Sequence, residues 1–426
     1  MRASTTIHAI ALCCWAIASV GFADEPGGVA AKHPSSVNAL TERVELLESR
    51  LSAEHLSEKA SNDWSEVIRP GDFPHSILIP GTNVSAKLGG YVKGDVIHDF
   101  NAIASRDNFD TSTIPTDGRD GENTRLHARQ TRLNLDVRWP NDWGTVRSFV
   151  EGDFFGAGST FRLRHAYAEL GPLLVGQTWT TFTHIEALPE TIDFESPVSF
   201  VLTRRGMVRW TCEPTDSVTV AFAVEDPQIT VTDPDNLPMV QLSGDDQTPL
   251  PDFVGRVRYT NEWSQFQFAS VVRTLGFRPE GEDIESETGY GLIWSGFADL
   301  FDNHRLMFQT GFGEGVGGLR GKTDAVPTPA GGLHLLDVFA GNVGYRIQWT
   351  EQWRSTATYS FGRLNNSIFE RDDALHALQY LAVNLIWNPV ERIDMGVEYL
   401  FGTREDKDGH DGEAHRLQFG FWYRLP

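Results

Sequence analysis

Glu186, Glu190, Asp193 and Glu195 precede Arg204, Arg205 and Arg209 within one stretch of the chain, Gly176 to Trp210. Acids facing bases across an aqueous passage set up a transverse field that sorts ions by charge. The same residues also read as a solvated loop whose neighbouring arginines merely pair, because charge runs are usually hydrated faces. Their order within the stretch is that of a strand (Gly176-Gln177-Thr178-Trp179), an infolded acidic loop and a returning strand that carries the arginines.

Side chains that face each other in this way need a wall with two faces, and the rest of the chain alternates accordingly. Leu133, Leu135, Val137 and Trp139 share one parity, with Arg132, Asn134, Asp136 and Arg138 on the other. The alternation recurs through Val218, Val220, Phe222 and Val224, through Val343, Tyr345, Ile347 and Trp349, and through Leu417, Phe419, Phe421 and Tyr423. A period of two is that of a β-strand with one apolar face. A soluble sandwich would alternate as well, so the connectors decide.

Tight connectors fall at 140–144, 171–172, 212–216, 261–262, 302–303, 351–352 and 388–391. Between them lie mostly longer ones, at 101–123, 182–200, 226–252, 278–286, 314–336, 365–376 and 404–412, with one short exception at 156–160. Short turns at one end and long loops at the other mark an outer-membrane barrel. The segments between them number sixteen, each with room for the ~9–11 residues that cross a bilayer. The fold expected is therefore all-β, a 16-stranded antiparallel transmembrane β-barrel. Trp139, Trp143, Trp210, Trp263, Trp349, Trp353, Trp387 and Trp422 lie at segment ends, where a periplasmic-side girdle forms.

With the apolar parity toward lipid, Arg132, Arg164, Arg205 and Arg256 face inward from the second, fourth, sixth and eighth strands. Arg162, Arg209 and Arg258 extend this ladder, and Arg147, Glu151 and Asp153 face in from the third strand. The infolded loop would set Glu186, Glu190 and Asp193 against it. Lumen ion pairs that only support the wall are the competing reading. Arg125 and Arg129 share the parity of Leu133, which requires a bulge near Gln130 or a position above the membrane. His165 has the outward parity of a girdle residue.

Ahead of the barrel, the apolar run from Ala9 to Val20 behind Arg2 and His8, ending Gly21-Phe22-Ala23, has the form of a secretory signal spanning 1–23. Val37, Leu40, Val44, Leu47 and Leu51 then recur at spacings of three and four, a two-heptad seam within a periplasmic spacer at 24–60. It reads either as a short coiled coil or as one amphipathic helix lying on the barrel. A linker at 61–75 leads into the barrel domain at 76–426. The formal charge of −22 excludes nucleic acid as a partner. Forty glycines and only three cysteines, of which Cys212 alone would remain after processing, fit a disulfide-free barrel. No nucleophile elbow, phosphate-cradling glycine loop or His/Cys metal spacing occurs, so no enzymatic activity, cofactor or metal is expected.

Several runs resemble the DcaP-like porins of Gram-negative outer membranes. They are Ile79-Pro80-Gly81-Thr82 with Gly89-Gly90-Tyr91-Val92-Lys93, Arg129-Gln130-Thr131-Arg132-Leu133, Gly176-Gln177-Thr178-Trp179-Thr180-Thr181-Phe182, and Leu188-Pro189-Glu190-Thr191-Ile192-Asp193-Phe194. The resemblance implies a homotrimer of 16-stranded barrels with a coiled-coil extension, seated in outer-membrane lipid. It further implies uptake of small anionic solutes such as dicarboxylates, recognised by pore arginines. The terminal Trp422-Tyr423-Arg424-Leu425-Pro426 departs from the terminal aromatic usual in such barrels. A general or sugar-preferring porin, and a closed structural or enzymatic barrel, are the alternatives.

Overall fold

The computed structural model describes residues 44–50, 69–240 and 242–425. The signal-like segment 1–23, residues 61–68 of the linker, and Val37, Leu40 and Leu51 of the heptad seam lie outside them. Residues 44–50 are helical, and Val44 and Leu47 of the seam are both exposed.

Between residues 69 and 425 the main sheet is antiparallel and closes on itself, with a separate two-stranded sheet at Ala325–Pro327 and Leu333–Leu335. Its barrel strands are β1 (Ser85–Asp99), β2 (in two pieces, Asn123–His127 and Arg132–Asn141), β3 (Gly144–Asp153), β4 (Arg162–Leu170), β5 (Leu173–Trp179), β6 (Arg204–Thr215), β7 (Val218–Glu225) and β8 (Asp252–Thr260). The second half comprises β9 (Ser264–Pro279), β10 (Glu285–Leu300), β11 (His304–Glu314), β12 (Asp337–Gln348), β13 (Trp353–Asn365), β14 (Leu375–Val390), β15 (Ile393–Asp406) and β16 (Asp411–Arg424). Each strand pairs with the next, and β16 pairs with β1 from Arg416↔Asp99 to Arg424↔Tyr91, which leaves no open edge. Closure is what lets a sheet sit in lipid with every backbone group paired. The strands number sixteen, as the connectors require. A two-stranded hairpin at 69–78 joins β1 through Ile77↔Ala86.

The outward parity is apolar, and its large side chains are bare in the isolated chain. Leu135, Phe222, Phe268, Trp294, Phe312, Phe339, Val383 and Phe419 are each exposed. On a soluble protein such a continuous apolar band would be an aggregation surface; here it is the face that meets lipid.

Two bulges redirect side chains that strict alternation misplaces. Between Asp95↔His127 and Tyr91↔Arg132 the β1–β2 register slips by one residue, so Leu126 and Leu133 both point outward despite opposite parity. The bulge expected near Gln130 is therefore present, and Arg125 and Arg129 both pair with Asp107 of the first long loop. A second slip, between Glu151↔His165 and Gly152↔Leu163, turns Arg164 and His165 to the same side. His165 is accordingly not a girdle residue. It is buried, with Nδ1 3.0 Å from the Thr178 hydroxyl. Of the girdle tryptophans, Trp139, Trp143, Trp210, Trp263, Trp349 and Trp353 are exposed, and Trp387 stacks on Trp353. Trp422 departs from the set, because its ring lies over the buried Lys93 ammonium at 4.6 Å.

Long loops fold inward and pack against the barrel wall. Phe182 from the loop after β5 packs with Ala223, Val254, Val271, Ile293 and Leu319. Phe109 and Ile114 from the loop after β1 pack on Leu378, Tyr380 and Leu400 of β14 and β15.

Candidate functional site

The loop after β5, residues 180–203, crosses the barrel interior, as its acidic composition between two strands anticipates. Contacts made far away in sequence hold it to the wall formed by β9–β16 and the adjoining β1. His184 lies 3.0 Å from the Ser295 hydroxyl and 2.8 Å from Gln265 Oε1. Glu190 receives two hydrogen bonds from Arg354 of β13, at 2.8 and 2.7 Å. The backbone N–H groups of Ile192 and Asp193 donate to Glu398 of β15 at 3.0 and 2.7 Å, and Lys93 Nζ donates to the Ile192 carbonyl at 2.6 Å. Gln309 donates to the Ser199 carbonyl at 2.8 Å.

Glycines on that wall supply the clearance. A Cβ at Gly344 would stand 2.6 Å from Pro189 Cγ, and one at Gly396 would stand 2.8 Å from Ile192 Cδ1. The close approach of loop and wall depends on their absence.

On its other side the loop borders a cavity of ≈ 930 Å³ whose lining includes Arg132, Arg162, Arg164 and Arg204, with Glu151, Phe149, Tyr167 and Trp179. Glu190, Asp193 and Phe194 line it from the loop. Arg164 is almost fully buried and donates to Glu151 at 2.9 Å and to Asp153 at 2.8 Å. Arg162 holds Asp153 with both Nε and Nη2, at 3.0 and 2.9 Å. Arg132 and Arg204 are different. Neither makes an ion pair or side-chain hydrogen bond among the described residues; they lie over the rings of Tyr91 at 5.4 Å and Trp179 at 4.7 Å.

Of Glu186, Glu190 and Asp193, the first meets the arginine ladder as expected. Glu186 accepts from Arg258 at 3.0 Å, which holds its carboxyl below the usual range although burial pushes the other way. Glu190 instead turns to Arg354. Asp193 is sealed in, accepting from the backbone N–H groups of Phe109 and Glu195 at 2.9 and 2.8 Å and lying 3.6 Å from Arg416. What the loop presents to Arg162 and Arg164 is the ring of Phe194, at 5.7 and 6.0 Å, stacked on Phe155 at 3.9 Å between centroids. Guanidinium over an aromatic face is a favourable contact that leaves N–H groups free for another acceptor.

The remaining candidates are spread apart. Arg147 pairs with Asp136 and Glu169 at 3.1 and 3.0 Å near the turn end of the wall. Arg205 faces inward but is covered by the loop after β7, with Nη2 3.3 Å from the Gln228 carbonyl. Arg209 and Arg256 stand lower on β6 and β8, outside the cavity lining.

Residues 77–388 match the family model described as the porin subfamily. The chain belongs to this family. It is thereby an outer-membrane channel protein, and the likeness expected to the DcaP-like porins extends to the three-dimensional fold. The outer membrane channel DcaP of Acinetobacter baumannii superposes with a TM-score of 0.72 at 22% identity, over 80% of this chain and 97% of that one. An anion-selective porin from Comamonas acidovorans gives 0.54 at 12%, covering 80% and 100%. The trimer form of OmpT from Vibrio cholerae gives 0.52 at 11%, covering 80% and 99%. No curated protein matches the chain. In this porin, sequence reading missed Arg354, Arg416, Lys93 and Glu398, the residues that hold the loop. Arg354, Arg416 and Glu398 stand on inward parities of β13, β16 and β15, so alternation could have marked them as lumen residues, though not as partners of the loop.

Proposed function

We propose that this porin forms a water-filled channel preferring small anionic solutes, dicarboxylates or similar organic acids. The observation that carries the reading is that Arg132 and Arg204 face the ≈ 930 Å³ cavity with no ion pair among the described residues, while the acids Glu151, Glu190 and Asp193 that also line it are paired with Arg164, Arg354 and Arg416. Charge left uncancelled in a narrow, low-dielectric passage attracts counter-ions and repels like ions. Arg162 and Arg164, clamped to Glu151 and Asp153, support the wall and orient the site. The assembly proposed is a homotrimer in outer-membrane lipid, with the heptad segment a periplasmic coiled coil.

The test is the reversal potential of the purified protein in a planar bilayer under a salt gradient. Wild type is expected to be anion-selective, and Arg132→Ser/Arg204→Ser is expected to lose much of that preference. An unchanged reversal potential in the double variant would overturn the reading. Equal permeation of neutral and anionic solutes of one size would favour a general porin instead, and absence of current a closed barrel.

A further inference from the structure

We infer that the pathway contains a second anion-binding station, on the periplasmic side of the infolded loop, built by Arg209 of β6 and Arg256 of β8. The inference rests on the anion-channel reading and divides the arginine ladder into two sites in series.

Arg209 follows Arg204 by five residues on one strand, about 16 Å at ~3.3 Å per residue. It therefore cannot share a small solute with the upper group. Strand β7 lies between β6 and β8, with Arg209 opposite Ala223 and Arg256 opposite Ala221. Both alanines are buried and inward, so no long side chain on β7 separates the two arginines. Their strands stand two inter-strand spacings apart, about 9–10 Å, and the two positions are offset by two residues, about 7 Å along the strands, so they lie about 12 Å apart, a gap that two long, flexible arginine side chains can close around one oxyanion.

Every acid near them is already engaged. Glu186 is held by Arg258, which also donates to Gln267 at 2.8 Å. Glu169 is held by Arg147. Glu225 accepts from the Thr180 hydroxyl at 2.5 Å and the Thr181 N–H at 2.7 Å. Arg209 and Arg256 make no ion pair among the described residues, and the Nε of each is buried without a hydrogen-bond partner. Buried donors are normally satisfied. Two unfilled guanidiniums, both partly open to the lumen, are a receptor for a carboxylate or phosphate oxyanion, which accepts such forks in bidentate geometry.

Inorganic phosphate is the probe, added to either side of a bilayer containing the full-length protein while chloride current is recorded. Wild type is expected to be blocked from both sides. Arg209→Ser/Arg256→Ser should weaken block from one side by about fivefold or more, and Arg132→Ser/Arg204→Ser should weaken block from the other. Arg256→Gln, which keeps a long polar side chain, should weaken the same side as the Arg209/Arg256 pair and serves if the double variant does not insert. An anion-selective wild type whose block is unchanged from both sides in the Arg209/Arg256 variants would overturn the second station and leave the channel reading intact. A wild type with neither anion selectivity nor phosphate block would overturn both.

Discussion

Glu190 and Arg354 form a two-point ion pair, 164 residues apart in sequence, that turns the central acid of the infolded loop away from the arginine wall. One pair thus does two things: it anchors the loop to β13, and it neutralises the negative charge that the loop brings to the cavity where Arg132 and Arg204 stand. Asp394 also accepts from Arg354, at 3.2 Å, so the guanidinium is held in place whether or not the loop moves.

Cutting this pair should alter selectivity and loop order together. Arg354→Gln leaves Glu190 charged and unpaired in the lumen, and anion preference should fall while current noise rises. Adding Glu190→Gln should restore much of the preference, because the stray charge is gone. Charge-assisted pairs of this kind contribute about 1.5–3 kcal/mol. A double variant no better than the single one would show that the pair acts only as a mechanical anchor.

Arg164 and Arg132 should separate stability from selectivity. Arg164 is buried against Glu151 and Asp153, so Arg164→Ser strands Glu151, leaves Asp153 to Arg162 alone, and should cost about 3–5 kcal/mol, visible as a lower unfolding temperature on gels. Arg132→Ser removes a group that holds no carboxylate, and should leave the melt near wild type while reducing anion partition by about fivefold, the effect of one unit charge at ~4 Å in water. Equal melts for the two variants would count against this division.

Gly344 should be a sensitive point for pore width. Gly344→Ala drives a methyl group into Pro189, and overpacking of this sort costs about 1–3 kcal/mol. The loop is expected to shift into the cavity and lower conductance. Pro189→Gly in the same chain should relieve the clash and restore the current; failure to do so would mean that the wall, not the loop, gives way.

The outer loops hang on Arg273. From β9 it donates to Asp252 at 3.0 Å, to the Gly315 carbonyl at 3.0 Å and to Asp324 at 3.1 Å, all buried, and to the Gln228 carbonyl at 2.5 Å, part-buried. Arg273→Ala should unfasten the segment 315–336 without opening the barrel. Limited proteolysis should then cut there several-fold faster, and a cleavage pattern identical to wild type would argue against the anchor.

Acidity should act through Asp193. Burial lifts its carboxyl to about 6, against the partial opposing pull of Arg416. An unfolded aspartate titrates at about 3.9, so on acidification the folded state takes up this proton first. The contribution therefore stabilises the folded loop fully below about pH 4 and is lost as pH rises through about 6. Relative to Asp193→Asn, wild type should lose thermal stability as pH is raised from about 5 to about 7.5. Parallel pH curves for the two proteins would contradict the assignment.

The barrel was legible in the sequence because its signals are local. Period-two alternation, turn residues and the unequal connector lengths each reside within a few neighbouring positions, and together they specified sixteen strands, the lipid face and a charged loop between β5 and β6. Side-chain direction across a bulge is less local: His165 was misplaced because one added residue at Arg164 reverses parity, and only pairing with β3 reveals it. The partners of the loop acids lay beyond reach of any such reading. Glu190 could as well have met Arg164 as Arg354 on composition alone, since a charge carries no record of which distant strand closure brings beside it. That choice is made by the curvature of the closed sheet and by clearance at Gly344 and Gly396, which seat the loop on β9–β16 and leave Arg132 and Arg204 facing open space.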